Sequence, residues 1–296
     1  MRTCGVVILT GALLLLVACE SPKDGLKKNI AAEFGKTAGT FAVAFKDLNT
    51  GEEILINEHD LFHAASTMKT PVMIEVFKQA NAGKLSLRDS IVVKDEFKSI
   101  VDGSPYSLSA SNDSYARIYD WVGKKMPLDS LVYYMITASS NLATNIVIEL
   151  VDAKNVTQSM RDLGARDIQV LRGVEDNKAF QAGLSNKVTA YDLMLIFEKL
   201  ARGEVVDKKS SDQMLGILRD QDFNDIIPAK LPAGTTVAHK TGWITGLHHD
   251  SGIVYPRNGN AYVLVLLSRE LKDEEAGVEI MANVSKMIYD YTTGKK

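Results

Sequence analysis

The chain has 296 residues, of which 46% are hydrophobic and 24% are charged, and its formal net charge is −3 at pH 7. This profile is typical of a globular protein with one large domain or two lobes and a sizeable core. The slightly negative charge, with no basic face, argues against a nucleic-acid partner.

The N-terminal segment is predicted to be an export signal. Arg2 precedes an apolar run over 6–17 that is too short to span a membrane as a helix. Residues 16–19 resemble a bacterial lipobox, which implies cleavage before Cys19 and lipidation of its thiol. We expect a signal peptide over 1–18 and an exported protein, lipid-anchored to a membrane and facing the periplasm or the cell exterior. An ordinary secretory signal is the alternative.

The predicted elements begin and end with strands. Residues 19–27 are expected to be a polar tether, followed by a short amphipathic helix that ends near Gly35. Alternating apolar residues predict strands over 40–47 and 53–56. The remaining predicted elements are helices over 67–82, 131–136, 143–151, 156–163, 189–202 and 210–219, a long loop over 165–188, strands over 235–240, 251–255 and 261–268, and a closing helix over 274–291.

These elements predict an α/β (α+β) fold. Five strands should form one antiparallel sheet flanked by helices, with the first and last helices on one face. We assign a sheet lobe to residues 28–65 and 206–296, and an inserted all-helical lobe to residues 66–205.

Three short motifs carry residues suited to acyl-transfer chemistry. Ser66 and Lys69 are three positions apart at a helix start, so the amine can reach the hydroxyl. The alternative is a helix-capping serine and a solvated lysine. A lysine in a partly desolvated site can be neutral and act as a base.

The other two motifs lie farther along the chain. Ser139-Ser140-Asn141 falls between two helices, where a hydroxyl can relay a proton and an amide can hold a carbonyl group; the alternative is a polar turn. Lys240-Thr241-Gly242 is placed at a strand end. Its ammonium and hydroxyl groups can bind a carboxylate, and the glycine lets a ligand approach the backbone. The alternative is a strand-end turn.

The order and context of the three motifs resemble those of the serine penicillin-recognising enzymes, which are the class A β-lactamases and the penicillin-binding DD-peptidases. The segment over 135–145 is similar to the class A segment around its second motif, except that Ser140 replaces the aspartate. Glu175 lies in the long loop where class A enzymes carry the glutamate that activates water. The resemblance implies a β-lactamase/transpeptidase-like fold.

The resemblance also implies a role for each residue. Ser66 is the nucleophile, Lys69 and Glu175 act as bases, and Ser139 relays a proton to the leaving nitrogen. The substrate-binding residues are Asn141, Lys240, Thr241, Gly242 and Trp243, and the backbone N–H groups of Ser66 and Trp243 form the oxyanion hole. We expect neither a cofactor nor a metal.

The loop around Glu175 departs from the class A pattern R-x-E-P-x-x-N. The arginine, Arg172, is one residue early, Asp176 replaces the proline, and Ala179 replaces the asparagine. These departures leave three expectations open. The first is a β-lactamase that opens the cyclic amide of a β-lactam antibiotic and confers resistance. The second is a DD-peptidase or another hydrolase of peptidoglycan-like amides or esters, and the third is a penicillin-binding sensor without turnover. A monomer is expected in each case.

Overall fold

A computed structural model describes residues 21–257 and 260–294. The strands are β1 (Thr40–Asp47), β2 (Glu53–Ile56), β3 (Phe62–His63), β4 (Ser90–Val92), β5 (Glu96–Lys98), β6 (Pro105–Ser107), β7 (Lys125–Pro127), β8 (Lys187–Val188), β9 (Thr236–Ile244), β10 (Leu247–Tyr255) and β11 (Tyr262–Arg269). The helices are α1 (Pro22–Phe34), α2 (Lys69–Asn81), α3 (Leu128–Ile136), α4 (Asn141–Val151), α5 (Ala153–Asp162), α6 (Asn177–Gln181), α7 (Ala190–Arg202), α8 (Lys208–Arg219) and α9 (Glu274–Gly294).

The predicted five-stranded antiparallel sheet is confirmed, with the order β2-β1-β11-β10-β9. Its central strands are buried on both faces because their alternating side chains enter two different cores. In β1, Phe41, Val43 and Phe45 belong to one core, whereas Ala42 and Ala44 belong to the other. The sheet is therefore a middle layer with helices on both sides.

Helices α1 and α9 cover one face of the sheet, as predicted. Leu26, Ile30 and Phe34 of α1 join Ile280 and Ile288 of α9 in the core on that face. Helix α1 begins earlier than the sequence suggested, because Ser21 caps it and Pro22 occupies its first turn. The expectation of a tether is thus wrong for residues 22–27, which are helical.

The second core joins the opposite face of the sheet to the inserted segment. Leu193, Ile196 and Phe197 of α7 pack in it, and α2, α3, α4 and α8 also contribute side chains. The expectation of an all-helical inserted lobe over 66–205 is wrong, because the segment over 84–127 forms two short strand pairs, β4 with β7 and β5 with β6. No helix in the described part of the chain has the length and apolar character needed to cross a membrane. The signal over 1–18 and Cys19 lie outside the described residues.

Strand β9 is an edge strand, and it is longer than predicted. Its pairing with β10 continues through Gly242 to Ile244, whereas the sequence suggested an end near Lys240. Gly242 remains in the ladder opposite His249, so the alternative of a strand-end turn is wrong. The third motif therefore lies within a sheet edge rather than at a strand end.

We expect Leu264→Ala to lower the free energy of unfolding by about 2–5 kcal/mol, because Leu264 is fully buried in the centre of β11 and its loss leaves a cavity. Leu150→Ala is the matched control: Leu150 is 41% exposed on α4, so the change should stay within about 0.5 kcal/mol. Urea denaturation of both variants checks this. Equal losses would contradict the assignment of the core.

Candidate active site

Ser66 lies in a single 3₁₀ turn, Ala65–Met68, directly before α2. Ala65 has a positive φ of 43°, a strained conformation for a residue with a Cβ atom. Its N–H donates to Nδ1 of His63 at 3.0 Å, and Thr67 Oγ1 donates to the Ala64 carbonyl at 2.6 Å. These bonds hold the strained turn, and Ser66 lines a cleft at its surface.

Gly242 brings strand β9 against the turn that carries Ser66. A Cβ atom on Gly242 would lie 2.8 Å from the Ser66 nitrogen and 3.0 Å from the Thr67 nitrogen. Both neighbours are backbone atoms and cannot move aside as a flexible side chain would. The absence of a side chain at 242 is therefore required for the close approach of the first and third motifs.

Lys69 is fully buried, and its amine contacts the second motif. Nζ donates to the Ser139 carbonyl at 2.7 Å, to Ser139 Oγ at 3.2 Å and to Asn141 Oδ1 at 3.1 Å. Burial lowers the pKa of Lys69 to about 7, although the carboxylates of Asp113 and Glu175 favour the charged form and oppose this shift. The amine is therefore available in its neutral form near neutral pH.

Lys240 reaches the same serine from the sheet. Its Nζ is also fully buried and donates to Ser139 Oγ at 3.1 Å and to the Thr241 carbonyl at 3.0 Å. Burial, followed by the charge of Lys69, lowers the pKa of Lys240 well below its usual value. Ser139 Oγ thus accepts bonds from both amines, which leaves its own proton free to be donated elsewhere.

Glu175 is half-buried and accepts a hydrogen bond from Asn141 Nδ2 at 2.8 Å. Burial raises the pKa of Glu175, and the bond from Asn141 opposes this shift. Its φ of 61° is unusual for a non-glycine residue. Asn141 consequently links Glu175 to Lys69, because its amide oxygen accepts from the lysine while its amide nitrogen donates to the carboxylate.

Two asparagines fasten the loop that carries Glu175. Asn145 accepts from the Val174 N–H at 2.6 Å and donates to the Val174 carbonyl at 3.0 Å. Asn186 accepts from the Leu171 N–H at 2.8 Å and donates to the Arg172 carbonyl at 2.9 Å. The predicted long loop over 165–188 is therefore held by side chains, although it also contains α6 and β8.

Asp176, at the position of the family's proline, ties this loop to a neighbouring hairpin. Its carboxylate accepts from Ser99 Oγ and from the Ile100 N–H, each at 2.9 Å, and it caps α6 by accepting from the Ala179 N–H at 3.0 Å. Ala179 is fully buried, so no polar side chain faces the site from this position. Asn177 is exposed and lines the cleft.

The cleft has a volume of about 670 Å³ and includes most of the predicted site residues. Ser66, Ser139, Asn141, Glu175 and Trp243 line it directly. Lys69 and Lys240 lie beneath its floor, since both bond to Ser139. The indole of Trp243 is 59% exposed and stacks on the His248 ring with a centroid distance of 6.5 Å.

Asp113 is a residue of this region that motif analysis did not find. Its carboxylate is buried and accepts from Ser140 Oγ at 3.2 Å and from the Leu142 N–H at 2.8 Å. The only sequence signal was an aspartate in a polar segment, Ser111-Asn112-Asp113-Ser114, which is typical of a surface loop. Its contact with the second motif spans 27 residues and depends on the fold.

Three of the histidines contact protein groups near the site or on the sheet. His239 contacts Asp250, His248 contacts Glu274, and His249 Nε2 lies 2.9 Å from the His63 carbonyl. Within residues 21–257 and 260–294, no group of three or more His, Cys, Asp and Glu side chains is arranged to hold a metal ion.

Residues 25–292 of the chain match the beta-lactamase enzyme family. The chain belongs to this family. The VEB-1 β-lactamase of Pseudomonas aeruginosa is 22% identical over 302 residues, which cover 98% of each chain. A β-lactamase structure from Sphaerobacter thermophilus is 27% identical with a TM-score of 0.77, and the match covers 92% of this chain and 98% of that one. The structure of PBP-A is 26% identical with a TM-score of 0.78, over 91% of this chain and 96% of its own.

Membership of the beta-lactamase enzyme family supports a β-lactamase-like serine hydrolase. Both the five-stranded antiparallel sheet and the helices around it agree with the fold of these relatives. The hydroxyl and amine groups predicted from the sequence converge on one cleft, and their individual roles in the reaction are part of the proposal below.

We expect the Lys69 amine to titrate near pH 7, because burial disfavours its ammonium form. NMR of protein with ¹³C-labelled lysine Cε atoms measures this directly, and Lys69→Met assigns the signal by removing it. Lys208→Met, which removes an exposed lysine on α8, is the matched control and should leave the Lys69 signal unchanged. A Lys69 midpoint above pH 9 would show that the ammonium form is retained despite burial.

Proposed function

We propose that this protein is a serine β-lactamase of the class A type, which opens the β-lactam amide through an acyl-enzyme on Ser66. The observation that carries the proposal is the position of Ser139 Oγ between two buried amines, Lys69 Nζ at 3.2 Å and Lys240 Nζ at 3.1 Å, beside the cleft that Ser66 lines. In this proposal Ser66 is the nucleophile, Lys69 is the base and Ser139 is the proton relay.

Acylation begins when Lys69 takes the proton of the Ser66 hydroxyl. A neutral amine has two N–H bonds and one lone pair, so it gives up one of the three contacts that Nζ makes and turns its lone pair towards Ser66. Ser66 Oγ then bonds to the β-lactam carbonyl carbon. The backbone N–H groups of Ser66 and Trp243 stabilise the oxyanion, typically by about 3 kcal/mol per donor.

The leaving nitrogen receives its proton from Ser139. The C–N bond breaks as Ser139 Oγ donates its hydrogen, and Ser139 regains a proton from the Lys69 ammonium, which carries the proton taken from Ser66. Lys240 and Thr241 bind the substrate carboxylate, and Asn141 orients its acylamide group. Gly242 and Trp243 lie on an edge strand, so the backbone of β9 faces the substrate on the side without a neighbouring strand.

Deacylation requires a water molecule that Glu175 deprotonates. The water attacks the ester carbonyl, the bond to Ser66 Oγ breaks, and the proton that Glu175 took from the water is returned to Ser66 Oγ. Glu175 is suited to this role because burial raises its pKa, which makes its carboxylate a stronger base. Ala179 offers no polar group to help hold the water, so we expect this step to limit turnover.

A second candidate function is acylation without efficient turnover, as in a DD-peptidase or a penicillin-binding sensor. It is favoured by the buried Ala179 and by the likeness to PBP-A, of which a variant was solved as an acyl-enzyme with penicillin G at 26% identity and a TM-score of 0.75. Its substrate would be a peptidoglycan-like amide or ester.

We further propose that the protein is exported and acts as a lipid-anchored monomer. The support is the lipobox-like segment that ends at Cys19, preceded by Arg2 and a short apolar run. A lipid on Cys19 would place the cleft at the outer surface of a membrane, where cell-wall fragments and β-lactams are encountered. Labelling of expressing cells with a radioactive fatty acid, with Cys19→Ala as the unlabelled control, tests this location.

Ser66→Ala should abolish both hydrolysis and covalent labelling, because no other hydroxyl replaces the nucleophile. We expect sustained turnover of a chromogenic cephalosporin by the unmodified protein and a fall on the order of 10⁴-fold or more in the variant. Absorbance and intact mass are recorded together. Ser114→Ala is the matched control, since Ser114 is exposed and lines the same cleft.

The two candidate functions give different results in this experiment. Sustained turnover supports the β-lactamase. A single burst with a persistent mass adduct supports the second candidate function instead. If neither turnover nor an adduct appears with Ser66 intact, β-lactams are not substrates, and hydrolysis that survives in Ser66→Ala would mean that the nucleophile is another residue.

Glu175→Gln should slow deacylation more than acylation, since glutamine keeps the bond from Asn141 but cannot accept a proton. The acyl-enzyme should accumulate, and steady-state turnover should fall by about 10²-fold or more. Quenched-flow mass spectrometry measures the acylated fraction. Glu204→Gln, at a surface position, is the control and should leave both rates unchanged. Unchanged turnover in Glu175→Gln would remove Glu175 from the mechanism.

A further inference from the structure

The second motif forms a strained turn between two helices. Ser139 has a φ of 56°, which a non-glycine residue adopts only when its surroundings hold it there. Ser140 follows and caps α4, accepting from the Ala143 N–H at 3.2 Å, while its own N–H donates to the Tyr134 carbonyl at 3.0 Å. A small displacement of this turn would move both Ser139 and Asn141.

The motif contains no acidic residue, yet a carboxylate lies against it. Asp113 comes from the segment between β6 and the 3₁₀ helix Ala116–Trp121, and it is only 9% exposed. Its Oδ2 accepts from Ser140 Oγ at 3.2 Å and from the Leu142 N–H at 2.8 Å. Its Oδ1 accepts from the Tyr115 N–H at 2.9 Å, which fixes the carboxylate to its own segment.

The position of this carboxylate is electrostatically favourable. Leu142 is the second residue of α4, so its N–H belongs to the first turn, where the backbone donors of an 11-residue helix are unpaired. A negative charge at that end is stabilised by the helix dipole. The hydrogen bond from Ser140 satisfies a hydroxyl that is fully buried.

We propose that Asp113 is a positioning residue for the acylation reaction, supplying from a separate segment of the chain the carboxylate that the second motif lacks. It holds the turn so that Ser139 and Asn141 stay within bonding distance of Lys69. This inference rests on the proposed acylation of Ser66, but its structural part is testable without any substrate.

The charge of Asp113 also acts on the base. Three charged groups surround Lys69: Asp113 beside α4, Glu175 in its loop and Lys240 on β9. The charge of Asp113 raises the pKa of Lys69 more than the charge of Glu175 does, and both oppose the effect of burial. Without that charge the pKa falls further below about 7, so the neutral amine persists to lower pH. In a plot of acylation rate against pH, the rise on the acidic side then shifts to lower pH.

The test uses Asp113→Asn, which keeps the shape and removes the charge. At pH 7 we expect acylation by penicillin, followed by intact mass, to slow by about 10- to 100-fold, because the turn is misplaced. In the NMR titration the Lys69 midpoint should fall below that of the unmodified protein. Asp120→Asn is the matched control, since Asp120 is an exposed aspartate of the 3₁₀ helix that follows this segment, and it should change neither quantity.

The double variant D113N/S140D moves the carboxylate onto the motif itself. It should restore the Lys69 titration midpoint of the unmodified protein and acylate at least tenfold faster than D113N. The double variant also keeps the test decisive if D113N alone does not fold. A Lys69 midpoint in folded D113N equal to that of the unmodified protein would overturn the proposal, as would a double variant that recovers neither quantity. If the unmodified protein is not acylated at all, the proposed function fails, but the Lys69 midpoints still decide the role of Asp113.

Discussion

The exclusion of water from two lysine amines is the constraint on which the site depends. Lys69 and Lys240 are both fully buried and both donate to one hydroxyl, Ser139 Oγ. Burial disfavours the ammonium form of both amines, and the charge of Lys69 lowers the pKa of Lys240 further. The fold therefore prepares Lys69 as a base near neutral pH through burial, without a histidine.

The surrounding elements serve to bring these amines together. Lys69 begins α2 in the inserted segment, whereas Lys240 lies on the edge strand β9 of the sheet. The two parts meet where Gly242 allows β9 to approach the Ser66 turn, and the shared core beneath them fixes that approach. A rigid contact between sheet and helices is thus what sets the distances within the cleft.

The sequence predicted the parts of the molecule that depend on local pattern. The strands over 40–47 and 53–56 are confirmed, and they could be predicted because apolar alternation is a local signal. Each of the three motifs is likewise a pattern of residues that are close together in the sequence. The extension of β9 through Gly242 was missed because glycine usually favours a turn, although here it permits a close approach. Asp113 and Asn186 were missed because the partners that tie them to the second motif and to the Glu175 loop lie 14 or more residues away, and no spacing rule connects them.

The fastening of the Glu175 loop has a consequence for how that loop opens. The N–H groups of Leu171 and Val174 donate to the side-chain oxygens of Asn186 and Asn145 rather than to a neighbouring strand. Each asparagine also donates back to a loop carbonyl, so a single rotation about one side-chain bond releases two contacts at once. Hydrogen exchange of these amides therefore reports the rotation of two asparagine side chains, and the loop can open locally while the sheet remains intact.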